Sequence, residues 1–178
     1  HIAVLENLFA KNEKEEFEKY LTELKATYCV SVEGIKTGNP VTDVILTQKQ
    51  KEAEENGIDF DCKFIYPVDS NINAFDVSVI LNNAIENAFE GVKGCKDPYV
   101  SILAYRKKNA YMLEVKNCIS KGVEIDKETG LPETTKKDKR SHGFGLANIR
   151  KVAQKYYGDI DINQDENSFT LTVMLMIE

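Results

Sequence analysis

The residue pattern predicts an α+β fold: a two-layer α/β sandwich with a mixed sheet and its helices on one face, preceded by a helical hairpin. Three observations carry this. The apparent element order is helix, strand, helix, strand pair, long polar loop, helix, strand pair, and strand hairpins cannot build an all-parallel sheet. Phe169, Leu171, Val173, Leu175 and Ile177 alternate strictly, as in a strand with one buried face. Val77, Ile80, Leu81, Ala84, Ile85 and Ala88 recur at helical spacing and mark a helix over 72–90.

From the start of the chain, Ile2, Leu5 and Phe9 share one helical face, and Lys11-Asn12 interrupts it. Asn12 followed by Glu15 reads as a capping box, after which Phe17, Tyr20, Leu21, Leu24 and Tyr28 continue at helical spacing. Residues 2–28 are therefore expected to be two helices joined by a tight turn. Such a pair cannot bury its stripe alone. Gly34–Pro40 is a clear break, and Pro40 opens a helix at the position where its missing N–H is harmless. That helix stops at Asn56-Gly57. Ile58, Phe60, Cys62, Phe64 and Tyr66 alternate as a strand that Pro67 closes.

After the 72–90 helix, Gly91–Pro98 is a loop, and 99–106 with 110–118 is a hairpin around Lys107-Lys108-Asn109. Residues 119–142 are polar and broken by Gly122, Gly130 and Pro132; a loop of that length inside a compact domain is usually functional or mobile. A helix over 146–157 and strands at 159–163 and 169–177 complete the chain.

The 178 residues are 42% apolar and 29% charged, enough for one generous domain or for one domain with a small appendage, and no apolar run is long enough to span a bilayer. The formal charge of −6 argues against nucleic acid as a partner, because no basic excess is present to displace phosphate counterions. The four cysteines, Cys29, Cys62, Cys95 and Cys118, show no C-x-x-C spacing and read as buried thiols in a reducing compartment. Beginning at His1 and lacking a signal-peptide pattern, the chain reads as a piece of a longer protein.

Three features bear chemistry. Asn83 and Asn87 are four apart, hence stacked on one helical face beside the apolar stripe. Asparagine is a mediocre helix former, so two of them one turn apart demand partners: either neighbouring backbone, or a Mg²⁺ ion already shared with phosphates, for which an amide oxygen is a suitable hard ligand. His142-Gly143-Phe144-Gly145-Leu146 ends the polar loop and opens a helix. It is either a plain hinge or a place where backbone N–H groups approach an anion. Lys136, Lys137, Lys139 and Arg140, opposed only by Asp138, are either a solvated charge run or a field that screens a triphosphate.

In combination these features are similar to the GHKL (Bergerat-type) ATPase fold, in its histidine-kinase branch, and most closely to the Agr-type quorum-sensing sensor kinases. Residues 80–90, Ile-Leu-Asn-Asn-Ala-Ile-Glu-Asn-Ala-Phe-Glu, resemble the N box. Thr135-Lys136 and His142 through Ile149 resemble the lid and the G2 box, and Thr37-Gly38-Asn39 through Ile45-Leu46 resembles the linker helix.

The resemblance implies a chain divided into 1–37, part of a dimerisation helical hairpin, and 38–178, an ATP-binding catalytic domain. It implies ATP and Mg²⁺ as cofactors, Asn87 as the metal ligand, and Asn83 at the catalytic position where ATP-hydrolysing cousins keep a glutamate base. An amide cannot take a proton from water, which suits passing a phosphoryl group to histidine rather than hydrolysis. Asn117 stands where related kinases hold the adenine with an aspartate, which implies weak ATP affinity. Lys136 is the lid cation, and Gly143, Gly145 and Leu146 belong to the nucleotide site. The family's phosphoacceptor lies in a His-Asp-x-x-Asn-His stretch. His1, followed by Ile2-Ala3-Val4, matches its second histidine, so ATP binding without autophosphorylation is expected of this piece. Further implied are a response regulator as partner, a homodimer in the full-length protein, and a cytoplasmic position below a membrane-anchored sensor. The competing reading is a degenerate module of the same fold acting by dimerisation without catalysis; a hydrolase reading would need a carboxylate beside Asn83, and Glu86 lies off that face.

Overall fold

The computed structural model describes residues 2–28, 34–123, 125–126, 130, 132 and 145–177. The chain divides into two compact units, His1–Glu33 and Gly34–Glu178.

The first unit is a helix pair, α1 (Ile2–Ala10) and α2 (Lys14–Tyr28). Phe9 and Phe17 meet edge to face across the turn, ring centroids 6.2 Å apart. Phe9 remains 77% exposed, so this unit leaves apolar surface uncovered. The capping box expected at Asn12 gives way to a different device. Asn12 adopts φ 57°, a left-handed turn that asparagine tolerates, rather than the extended conformation of an N-cap, and α2 begins at Lys14.

The second unit contains α3 (Pro40–Glu55), β1 (Asp59–Lys63), α4 (Ala74–Gly91), β2 (Tyr99–Lys107), β3 (Ala110–Cys118), α5 (Gly145–Lys155), β4 (Asp159–Gln164) and β5 (Ser168–Met176). The strands form one five-stranded sheet in the order β1-β2-β3-β5-β4. Only β1–β2 is a parallel pair. The sheet is therefore mixed, and the α+β sandwich predicted from the sequence is the observed architecture.

Alternation along the strands decides which face is dry. Val100 and Ile102 of β2, Leu113 and Val115 of β3, and Leu171, Val173 and Leu175 of β5 are buried. They pack with Leu46 of α3, the Val77–Ala88 stripe of α4, and Ile149 and Ala153 of α5 in one core. The intervening positions at the two sheet edges, Asp59, Asp61 and Lys63 on β1 and Asp159, Asp161 and Asn163 on β4, are exposed. Removing this much apolar side chain from water is the main stabilising contribution, at about 25 cal/mol per Å². No described helix is long and apolar enough to cross a membrane.

Caps place the helices that build the site. The Asn39 side chain accepts from Val41 N at 2.9 Å and Thr42 N at 3.4 Å, with Pro40 at the first helical position. Asn73 accepts from Phe75 N at 2.8 Å and starts α4. The strand read over 58–66 is shorter as a ladder, ending at Lys63. Phe64 and Tyr66 are nevertheless buried, because Tyr66 N donates to Thr37 O at 2.8 Å and its hydroxyl to Ile72 O at 2.6 Å. Alternation reports which side chains are dry, not which backbone groups pair.

Asp76 in the first turn of α4 locks that helix to α5. Its carboxylate accepts from Lys155 Nζ at 2.6 Å and from the Tyr156 hydroxyl at 2.5 Å, and the Tyr156 hydroxyl in turn accepts from Asn73 N at 2.9 Å. Burial pushes the Asp76 carboxyl up, but the two hydrogen bonds and the Lys155 charge outweigh it and hold the group below the usual aspartate range. A carboxyl depressed in the folded state adds stability above its unfolded pKa and loses it as pH falls through the folded value. Unfolding in urea at pH 7 and at successively lower pH is therefore expected to show a stability loss in acid that Asp76→Asn lacks. Asp76→Ala, which strands the Tyr156 hydroxyl, is expected to cost about 2 kcal/mol at pH 7.

Candidate functional site

The site is built along one face of α4. Asn83, Glu86, Asn87 and Glu90 all line a cavity of about 790 Å³, whose walls also include Gly145 and Asn148 of α5, Lys49 and Glu52 of α3, Asn56 at its C-cap, and the turn after α4. Asn83 Nδ2 donates to Val79 O at 2.8 Å, which occupies the amide nitrogen within the helix. Its Oδ1 is turned to Gly145: a Cβ on that glycine would stand 3.2 Å from Asn83 Oδ1 and 3.3 Å from Asn87 Nδ2. A side chain at 145 would therefore press on both amides and make them give way by a few tenths of an ångström. Two features that the sequence singled out separately, the Asn83–Asn87 pair and Gly145, meet at one point.

Asn87 is the unsatisfied member. Its Nδ2 is buried and has no hydrogen-bond partner among the described residues. An unmet buried amide costs about 1–3 kcal/mol, and such groups in folded proteins mark a missing ligand or a functional strain. The amide can present either end to the cavity by rotation about its last bond. Among the described residues no group of three His, Cys, Asp or Glu is placed to hold a metal, so a metal here would take Asn87 Oδ1 and complete its shell with oxygens of water or a bound phosphate. The residues fit a shared Mg²⁺ rather than a protein cage.

The electrostatics of the wall are mixed. Lys49 Nζ lies 2.9 Å from Glu52 Oε2 and 3.7 Å from Glu86 Oε1, and sits 5.7 Å from the centroid of the Phe89 ring. Among the described residues that line it, the carboxylates of Glu52, Glu86 and Glu90 outnumber the ammoniums of Lys49 and Lys93. A polyanion entering here without a cation would be repelled.

At the far end, Asn117 on β3 is 3% exposed and does not line the cavity surface. It lies directly behind Gly91, whose Cβ, if present, would stand 2.5 Å from Asn117 Nδ2. That nitrogen donates to Cys118 O at 2.7 Å. Leu146 is half-buried against the core rather than in the cavity lining. Lys136 and Gly143, with His1, Lys137, Lys139, Arg140 and His142, lie outside the described residues.

Sequence reasoning missed the α3 wall. Lys49, Glu52 and Asn56 share a helical face, but nothing in their spacing says that this face meets α4. It also placed Glu86 off the asparagine face, whereas the structure puts Glu86 in the same cavity, tied to Lys49. Three residues on from Asn83 is one helical turn, so the signal was present.

Residues 72–176 match the family model described as a GHKL domain. Among solved structures, the nucleotide-free catalytic domain of the histidine kinase ThkA superposes with a TM-score of 0.60 at 18% identity, covering 82% of this chain and 97% of that one. The mycobacterial sensor histidine kinase MprB gives 0.57 at 14% identity, over 78% of this chain and 94% of its own. The Acinetobacter baumannii histidine kinase AdeS gives 0.55 at 14% identity, over 97% of this chain and 85% of its own. At these identities the likeness is one of fold. No curated protein matches the chain.

Proposed function

The chain belongs to the GHKL domain family, and on that premise we propose that its larger unit is the ATP-binding catalytic domain of a sensor histidine kinase, which passes the γ-phosphoryl of Mg-ATP to a histidine in a two-component system. One observation carries the reading: Gly145 comes against Asn83 and Asn87 where the Asn87 amide is buried and unmatched. The helical pair before Gly34 is its dimerisation element in part, with the catalytic domain beginning near residue 38. The Agr-type subfamily, with its quorum-sensing role, is the branch that the N-box and lid residues favour. A response regulator, a homodimeric parent and a membrane-anchored sensor segment belong to the same proposal.

In this reading Asn87 Oδ1 holds the metal, and Asn83 Oδ1 accepts from a water or hydroxyl beside it. Mg²⁺ held by Asn87 would supply the positive charge that offsets the phosphates during transfer. Gly145 and Gly143 let backbone N–H groups come close to the phosphates, and α5, which has no acidic residue in its first turn, places its positive end there. Lys136 supplies the lid cation, Leu146 seats α5 against the core, and Asn117 orients the adenine through the gap that Gly91 leaves. Neither asparagine can act as a base, so catalysis is positioning and charge neutralisation rather than water activation.

A thermal-shift titration tests this. Mg-ATP is expected to raise the melting temperature in a concentration-dependent way, while ATP with excess chelator does not, because the lining carboxylates oppose an unneutralised triphosphate. Equal shifts with and without the metal would contradict the reading. Gly145→Val, which fills the meeting point of both asparagines, is expected to weaken nucleotide binding by about tenfold or more. A purely dimerising module would show neither effect. Hydrolysis is the second reading that one observation favours, since Glu86 lines the cavity; Mg-dependent phosphate release abolished by Glu86→Gln would establish it.

A further inference from the structure

The turn after α4 runs along the end of β3, and Cys95 in the turn and Cys118 at the strand end both belong to that seam. Ser120 Oγ donates to Lys93 O at 3.3 Å, Gly91 abuts Asn117, and a Cβ on Gly94 would stand 3.2 Å from Ser120 Oγ. Gly94 takes φ 87°, a left-handed turn, and Cys95 N donates to Val92 O at 3.0 Å, which folds Cys95 back toward the sheet. Cys118 is 7% exposed and belongs to the core, and Cys95 packs against that core while lining the cavity. Both are free thiols. Burial first, and then the neighbouring Cys118 thiol, push the Cys95 thiol up to about 11. Cys95 is therefore reachable from the cleft, while Cys118 is buried in the core along the same seam.

We propose that Cys95 and Cys118 are a reversible thiol–disulfide site at the Asn117 end of the cleft, oxidised by small disulfides, and that closing it weakens nucleotide binding. The second half rests on the ATP-binding reading above; the first does not. In the exchange, the Cys95 thiolate attacks one sulfur of the small disulfide and expels a thiol, leaving a mixed disulfide. The Cys118 thiolate then attacks the Cys95 sulfur and expels the second thiol. The protein gives up two protons and two electrons, and the small disulfide is reduced to two thiols. With Cys95 largely protonated at neutral pH, exchange is slow and responds to sustained oxidation. The bond would draw the 92–95 turn onto Cys118, whose carbonyl holds the Asn117 amide, and so narrow the gap behind Gly91.

The test uses the full chain carrying Cys29→Ser and Cys62→Ser, treated with oxidised glutathione and mapped by mass spectrometry without reduction. The expected result is a peptide pair joined through Cys95 and Cys118, reversed by dithiothreitol. Cys118→Ser is expected to retain a glutathione adduct on Cys95, and Cys95→Ser to remain unmodified. A lasting glutathione adduct in the protein with both thiols, or no reaction under conditions that modify Cys118→Ser, would overturn the site. Mg-ATP affinity is then measured before and after oxidation, with a fall of about tenfold expected and recovery on reduction. Unchanged affinity overturns the regulatory half alone. Absence of ATP binding in the reduced protein refutes the ATP reading, and with it the effect on binding, while the mapped disulfide still stands on its own data.

Discussion

Asn87→Ala is expected to reduce Mg-ATP affinity by about a hundredfold, about 2.7 kcal/mol, without destabilising the fold. Two features combine in this expectation. The residue supplies the metal-ligating oxygen in the proposed site, so its removal leaves the triphosphate facing Glu52, Glu86 and Glu90 with its neutralising ion poorly held. Its amide nitrogen, however, has no partner among the described residues, so the substitution removes an unmet polar group from a buried position. Urea unfolding in the absence of nucleotide should therefore show stability equal to the parent or slightly higher. That pairing of lost binding with retained or increased stability separates a site residue from a structural one. A variant that binds nucleotide normally, or that unfolds readily with no nucleotide present, would contradict the assignment.

Gly158→Ala is expected to have the largest effect on the fold, a loss of at least about 3 kcal/mol. Gly158 lies in the turn between α5 and β4, where the chain passes directly over β5. A Cβ there would stand 1.7 Å from Met174 O and 2.7 Å from Met174 C, and both are backbone atoms that no rotamer change can move. The glycine is held in place by its own N–H bond to Ala153 O at 3.0 Å and by Met176 N donating to Tyr156 O at 2.9 Å. Relief would require β4 and β5 to separate, or α5 to tilt and carry Gly145 away from the asparagines. Chemical denaturation measures the first consequence. A change within about 0.5 kcal/mol of the parent would show that the crossing is looser than described.

Much of the fold was legible because its signals are local. The stripe of α4 and the alternation of β5 depend on periodicities of 3.6 and 2 that hold whatever the topology. The meeting of Asn83 and Asn87 followed from their spacing alone. What the sequence could not supply is what each face meets. The parallel pairing of β1 with β2 depends on where the chain returns after α4, and β1 ends at Lys63 because Tyr66 N finds Thr37 O instead of a ladder partner. The α3 wall was invisible for the same reason: Lys49 and Glu52 look like any solvated i, i+3 pair until α4 brings Glu86 and Phe89 beside them. Asn12 shows a local signal that failed, because the same side chain suits both an N-cap and a left-handed turn. Asn117 was picked out by resemblance, yet its position beneath Gly91 depends on helix and strand coming within contact distance, which no one-dimensional pattern encodes.

The most direct test of the central claim is a crystal structure of the protein with Mg²⁺ and a non-hydrolysable ATP analogue. The expected result is a metal about 2.1 Å from Asn87 Oδ1, with phosphate oxygens completing its shell beside Gly145. A nucleotide bound elsewhere, or a metal in this cavity whose ligands leave out Asn87, would contradict it.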